Sequence, residues 1–377
     1  MRYLLAVWVA VWAAALCASL AVVATAQGQD GRFRASLAPE IEFNNHIEFG
    51  ISVDPSTVSA DTSSQLTGSR TALTGLVETE GERDRLSYRL TFTPAIENYT
   101  GEDGFLDQFD GARIPLAASV AYRADGRLPE VRLRVGATRM TRDADIYDHW
   151  EPTAEIRVGE FASYEFRRRV FDSTEPREDY LLISSTRHAG RAAVRVVGGA
   201  RTRVDASYRV EAERYGVNTS SLLYFAIQEA PSFQRSDTRH VGDVTALRVL
   251  GSQVLVEAGG SAMWNRSNSD FYSFRTTEAI GSVFWSSGEG RWVRAEASRG
   301  WLSYGRREFS DTLGGPTTTR RDTSWRAALT TEWRVADSLA VTASADLLRN
   351  RTNDTRAGRE FLNYTQRIYS VGVRAAY

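Results

Sequence analysis

From residue 27 onward, apolar side chains fall on every second position, and that pattern constrains the fold more than any other feature of the chain. In Leu86-Ser87-Tyr88-Arg89-Leu90-Thr91-Phe92 the apolar set is Leu86, Tyr88, Leu90 and Phe92. In Val131-Arg132-Leu133-Arg134-Val135 the alternate positions are arginines, and Ser370-Val371-Gly372-Val373-Arg374 repeats the pattern. Successive side chains of a strand point to opposite faces, so each segment has one oily and one polar face. Helical periodicity is nearly absent over the same span. The chain reads as all-β.

A soluble sandwich also alternates, so the connections must discriminate. Tight turns at 80–84, 124–127, 198–201, 250–253, 287–290 and 335–338 take turns with longer polar stretches near 52–68, 98–113, 141–152, 216–241, 265–274, 306–322 and 350–363. Short turns at one end and long loops at the other describe an antiparallel up-and-down barrel that crosses a membrane with strands. Counting segments predicts sixteen strands, an even number that puts both chain ends on the short-turn side; fourteen is the alternative. The uncertain stretch is 160–200, where the spacing predicts one strand near 153–166 and two short ones near 179–187 and 191–198. Tyr99, Tyr122, Trp150, Tyr215, Trp264, Trp285, Trp292, Trp301, Tyr304, Trp325 and Trp333 fall at strand ends or beside loops, as an interfacial girdle would.

Residues 1–26 read differently. Met1-Arg2-Tyr3 precedes an uncharged run that ends in Ala24-Thr25-Ala26, followed by polar Gln27-Gly28-Gln29-Asp30. This is the composition of a secretory signal peptide, which leaves 27–377 as a single barrel domain. The competing reading is a retained anchor, since the run is long enough to span ~30 Å of hydrocarbon. Cys17 is the one cysteine, so the mature chain offers no disulfide framework or thiolate site. Leu16 before Cys17 argues against a lipoprotein. No later segment approaches the ~20 apolar residues of a spanning helix.

The last strand carries a resemblance. Tyr369, Val371, Val373, Ala375 and Tyr377 are five alternating positions ending at the terminus. They resemble the C-terminal recognition strand of Gram-negative outer-membrane proteins, although that pattern usually ends in Phe and Ala375 is small here. The resemblance covers the whole mature chain architecturally and implies a porin-type outer-membrane barrel. It also implies outer-membrane lipid and lipopolysaccharide as surroundings and the barrel-assembly machinery as a partner. A homo-oligomer and periplasmic export partners remain open.

If the apolar face meets lipid, the charged face lines a lumen. The pore-lining candidates are Arg89, Arg132, Arg134, Arg157, Arg209, Arg248, Arg294, Arg326, Glu257 and Glu296. A charged wall holds water and tunes ion selectivity; mutual pairing that fills the lumen is the competing reading. Two stretches are acidic, 98–113 and 141–152. On the strand count the second follows the fifth strand, where the resemblance implies an inward-folded loop. That makes Asp143, Asp145 and Asp148 candidates for a constriction opposite Arg132 or Arg134.

A formal net charge of -1 argues against nucleic acid. All 46 basic residues are Arg. There is no G-x-S-x-G elbow, H-E-x-x-H or phosphate-binding glycine motif, and no cofactor or metal site is expected. His46, His149, His188 and His240 are scattered, and His149 beside Asp145, Asp148 and Glu151 is the one cluster of note. The leading expectation is a non-enzymatic channel for passive diffusion of small hydrophilic solutes or ions. The alternatives are a conduit exporting a polysaccharide or other secreted product, and a membrane-embedded hydrolase.

Overall fold

The computed structural model describes residues 30–44, 67–101, 105–123, 129–144, 147–172, 184–217, 234–268, 272–309, 317–354 and 363–376. The signal peptide expected at 1–26, as well as His46, Asp145 and Tyr377, lies outside the described residues. The strands are β1 (Asp30–Asn44), β2 (Gly68–Arg83), β3 (Leu86–Phe92), β4 (Ala95–Gly101), β5 (Gly111–Tyr122), β6 (Val131–Arg142), β7 (His149–Val158), β8 (Ala162–Phe171) and β9 (Ser185–Gly198). They continue as β10 (Thr202–Val217), β11 (Gln234–Leu250), β12 (Val254–Ser267), β13 (Phe274–Ser286), β14 (Arg291–Phe309), β15 (Thr318–Ala336), β16 (Leu339–Thr352) and β17 (Thr365–Ala376).

Each strand pairs antiparallel with its neighbours around the sheet, β3 and β4 both lying between β2 and β5, and β17 pairs with β1 through Glu40↔Gly372 and Phe43↔Tyr369. The sheet is therefore closed and has no edge. Closure is what lipid demands, because an unpaired backbone group in hydrocarbon costs several kcal/mol.

β3 and β4 are one barrel strand. The register against β2 and β5 is unbroken across them, but Thr93-Pro94 interrupts the ladder. Pro94 has no N–H to donate, while its carbonyl still accepts from Gly75 N at 2.8 Å. Counting β3 with β4 gives sixteen strands around the barrel.

Two expectations near 160–200 are corrected. The segment expected as one strand at 153–166 is β7 and β8, folded at Gly159-Glu160-Phe161, where Gly159 takes φ +53°. The two expected at 179–187 and 191–198 run together from Ser185 as the single β9, with 179–183 outside the described residues. The errors cancel in the count. A glycine turn inside continuous alternation is easy to miss, since the pattern resumes in phase after the hairpin.

The two wall faces follow from pairing parity. Outward positions include Leu37, Ile41, Leu116, Leu133, Ile156, Val194, Val244, Leu329 and Val371, all exposed large apolar side chains. Tyr369, Val373 and Ala375 share that outward face through their pairing with β1 and β16. Trp325 and Trp333 face outward eight residues apart on β15, about 20 Å along the membrane normal for a strand tilted by ~40°. That is close to the height of the apolar band of such barrels, so these tryptophans mark its two borders. The girdle expectation needs one correction: Tyr99, Tyr215, Trp292 and Tyr304 lie on the inward parity. Alternation, not aromatic type, decides the face.

Among the described residues no helix is long and apolar enough to cross a membrane. The buried apolar cluster is small and lies inside the barrel mouth: Leu106 and Phe109, on a single 3-10 turn, η1 (Phe105–Phe109).

Candidate functional site

Sixteen strands ~4.8 Å apart and tilted by ~40° enclose a backbone cylinder about 32 Å across. Side chains reaching ~6 Å inward from both sides are too short to fill that width, so the inner wall is a surface and not a packed core. What lines it is mostly charged and hydrogen-bonded.

The expected pore-lining residues can be placed by parity. Arg89, Arg132, Arg134, Arg157, Arg209, Arg294, Arg326, Glu257 and Glu296 lie on the inward face. Several are held flat against the wall by neighbouring acids. Arg89 reaches Glu80 at 2.6 Å, Arg132 reaches Glu130 at 2.7 Å, Arg157 reaches Glu155 at 2.6 Å, and Arg294 reaches Glu296 at 2.8 Å. Arg209 bridges to Glu211 at 3.1 Å, and Arg326 Nε donates to Asp346 at 2.7 Å. Among the described residues Arg134 and Glu257 have no ion-pair partner within 4 Å. Arg248 is a correction: it pairs with Val256 and Thr202 on the outward face, on the same parity as Trp264. Its segment, Arg248-Val249-Leu250, ends a strand near the short-turn border, where alternation alone leaves the phase ambiguous.

The charge on the wall is uneven. β6 to β11 carry most of the inward arginines, among them Arg167, Arg187, Arg191 and Arg195. β12 and β13 present Glu257 and Glu278 to the lumen and no basic side chain. β12 adjoins β11 in the ring of sixteen, so the acidic pair lies beside the basic arc and the inner wall is electrically asymmetric. In the short-turn half of the basic arc, Arg191 Nε donates to Ser207 Oγ at 3.1 Å and Ser207 Oγ donates to Asp243. With Asp205, Arg209 and Thr245 these residues line a cavity of about 350 Å³.

The constriction expectation is overturned in its pairing. Arg132 and Arg134 sit at the short-turn end of β6, while Asp143 follows its far end. Eleven residues of strand separate Arg132 from Asp143, roughly 35 Å at ~3.3 Å per residue. Asp148 is buried and accepts from Arg142 N at 2.6 Å, and it lies 3.4 Å from outward-facing Arg139. Asp143 is exposed and is held through its backbone N–H, which donates to Asp110 O at 2.8 Å.

The segment that does fold inward precedes β5. Leu106 is fully buried against inward-facing Gly68 and Gly101; a Cβ at Gly68 would meet Leu106 Cδ1 at 2.4 Å, and one at Gly101 would meet it at 2.9 Å. Glycine at both positions makes the seat. Phe109 stacks on Tyr147 at 5.0 Å and meets Tyr99 edge-on at 6.5 Å. Arg142 Nη1 donates to Phe109 O at 2.7 Å, Tyr99 N donates to Asp110 Oδ1 at 2.5 Å, and Ala144 N donates to Gln108 O at 3.0 Å. Burial pushes the Asp110 carboxyl above its ordinary range. Beneath the turn, Arg142 bridges to Glu97 at 2.9 Å, and Arg70 bridges to Glu97 and Glu42 at 3.0 Å each. The one sequence signal for this turn was its three apolar side chains, Phe105, Leu106 and Phe109, inside an acidic loop.

Inward arginines stack on aromatics around the same mouth. Arg142 lies 5.9 Å from the Tyr99 ring, Arg320 lies 5.0 Å from Tyr304, and Arg235 lies 4.7 Å from Tyr215 and 3.8 Å from Tyr272. Arg239 ties Glu213 at 2.8 Å, Asp237 at 3.3 Å and Glu211 at 3.4 Å into one network. These contacts rigidify the wall; paired and hydrogen-bonded, the buried charges are tolerated.

The described members of the histidine cluster are engaged separately, Glu151 with Arg169 at 3.1 Å and Arg167 at 3.6 Å. His149 Nδ1 is hydrogen-bonded to Tyr147 O at 2.8 Å and the ring packs on Phe171 at 4.9 Å. The carboxylate of Asp148 is directed to Arg142 and Arg139 instead. Among the described residues no group of three His, Cys, Asp or Glu could hold a metal ion.

No protein-family model and no curated protein matches the chain. Solved structures do. OccAB1 of Acinetobacter baumannii superposes with a TM-score of 0.50 at 8% identity, covering 92% of this chain and 96% of that one. OpdK of Pseudomonas aeruginosa, solved with vanillate, gives 0.48 at 8% identity over 92% and 99%. OmpT, an outer membrane protein of Vibrio cholerae, gives 0.44 at 10% identity over 92% and 97%. At such identities the likeness speaks to fold. The closed sixteen-stranded sheet, its apolar outer belt and this likeness together make the chain a porin-type β-barrel of the outer membrane.

Proposed function

We propose that the barrel is a channel for passive diffusion of small hydrophilic solutes or ions. One observation carries the reading: a closed wall too wide for its side chains to fill turns its charged face inward and its apolar face outward. The arginine-rich arc of β6 to β11, with Glu257 and Glu278 beside it, makes the inner wall electrically asymmetric, which orients solutes that carry separated charge or polar groups. The inward-seated η1 narrows the entrance on the long-loop side, between the inner walls of β2, β4 and β6.

The test is electrical. The purified, refolded chain is added to a planar lipid bilayer. Discrete conductance steps with a measurable reversal potential in a salt gradient are expected. A barrel that migrates as folded on unheated gels yet never conducts would overturn the reading.

A further inference from the structure

The arginines of this chain form two populations. Those facing the lumen are interleaved with acids. Those facing outward are mostly not: within the described strands no Asp or Glu faces outward, and Arg139 is the exception, bridging at the end of β6 to Asp172 at 2.5 Å and Asp148 at 3.4 Å. Outward arginines lie at the borders of the belt, and on β13 to β16 they gather at the long-loop border.

Registers place them together. Arg275 on β13 neighbours Trp264 on one side and Ser303 on the other, and Ser303 neighbours Arg321. One step toward the belt, Trp301 neighbours Thr323, which neighbours Arg351. One step further, Trp325 sits between Arg299 and Arg349. The Arg299 guanidinium lies 5.2 Å from the Trp301 ring. Arg275, Arg299, Arg321, Arg349 and Arg351 are all exposed, as are Trp301 and Trp325. Among the described residues Arg275, Arg321, Arg349 and Arg351 have no carboxylate partner. Adjacent strands are ~4.8 Å apart, so the patch is about 15 Å wide.

A guanidinium turned toward lipid with no protein acid beside it needs an anion from the membrane. At this height, level with the extracellular girdle, the groups available are lipid headgroups, and a phosphate accepts the planar fork of Arg bidentately. Exposed tryptophans between the arginines offer flat apolar faces for sugar rings or upper acyl methylenes.

We propose that the outward β13 to β16 patch is a docking site for a phosphorylated glycolipid of the outer leaflet, with Arg275, Arg321, Arg349 and Arg351 holding its phosphates and Trp301 and Trp325 packing against its sugar or acyl base. The site rests on the barrel's placement in the membrane and is independent of conduction through its lumen.

The test uses the full mature chain in non-ionic detergent, titrated with diphosphorylated lipid A and read by native mass spectrometry. Each Arg→Gln change in the patch should weaken binding roughly fivefold, from about 1 kcal/mol per basic residue near an anionic surface. R275Q/R321Q and R349Q/R351Q, made as separate pairs, should each lose about 25-fold on the same constant. Unheated gel mobility verifies that each variant is folded, and R349Q alone serves if a pair is not. Lipid A stripped of phosphate should bind far more weakly to the wild type. Equal binding of lipid A by wild type and variants, or of the phosphate-free lipid by the wild type, would overturn the assignment. So would displacement of lipid A by millimolar inorganic phosphate, which would indicate an anion site with no lipid character.

Discussion

Leu106→Ala is the sharpest probe of the mouth. Leu106 is wholly buried on the floor made by Gly68 and Gly101, and it is the principal apolar anchor of η1. Truncating a buried Leu costs about 2–5 kcal/mol. The other ties are hydrogen bonds from Arg142, Tyr99, Ala144 and Asp143, each contributing ~0.5–1.5 kcal/mol. The leucine therefore supplies roughly half of what these ties hold. Its loss should raise the unseated fraction by a factor of roughly 30 to 4,000, at 1.4 kcal/mol per decade. The barrel itself keeps its ladder, so folding and gel mobility should be unchanged. In single-channel recordings the variant should show higher mean conductance with rapid flicker between two levels. Amides of Gln108 to Asp110 should exchange faster in deuterium. A folded variant with wild-type conductance, wild-type noise and unchanged exchange would refute the idea that η1 restricts the entrance.

Other consequences are simpler to check. Gly68→Val should mimic Leu106→Ala, because its side chain would occupy the space of Leu106 and press on Thr100 O; conductance traces report it. Arg134→Glu should move the reversal potential in a salt gradient toward cation preference and Glu257→Gln toward anion preference, both without loss of folding. Asp143→Asn should leave selectivity within error, since its carboxylate lies at the far end of β6 from Arg132 and Arg134. Leu329→Arg, on the lipid face midway between Trp325 and Trp333, should cost about 2–4 kcal/mol in a folding titration into vesicles, whereas Thr330→Arg, facing the lumen, should cost far less.

Parity explains how much of this protein was readable in advance. A strand period of two is local, so the faces of Arg89, Arg132, Arg134, Arg157 and Arg326 follow from their immediate neighbours. Arg248 failed because it lies where the belt ends, and there the oily partner on either side carries no phase information. The β7–β8 hairpin failed for a related reason: three residues around Gly159 turn the chain without disturbing the alternation. The choice of inward loop failed differently. Both candidate loops are acidic, and composition cannot show that Gly68, on another strand, is the missing floor for Leu106.

The barrel is written locally: alternation sets two faces, alternating turn lengths set an up-and-down course, and an amphipathic final strand can pair with the first. Each of these is written within a few residues. What meets across strands was settled by the closed sheet. It seated η1 against β2, β4 and β6, set the basic arc beside Glu257 and Glu278, and gathered Arg275, Arg321, Arg349 and Arg351 around Trp301 and Trp325. Such contacts depend on the registers of several hairpins at once, and register is fixed by the closure of the whole sheet.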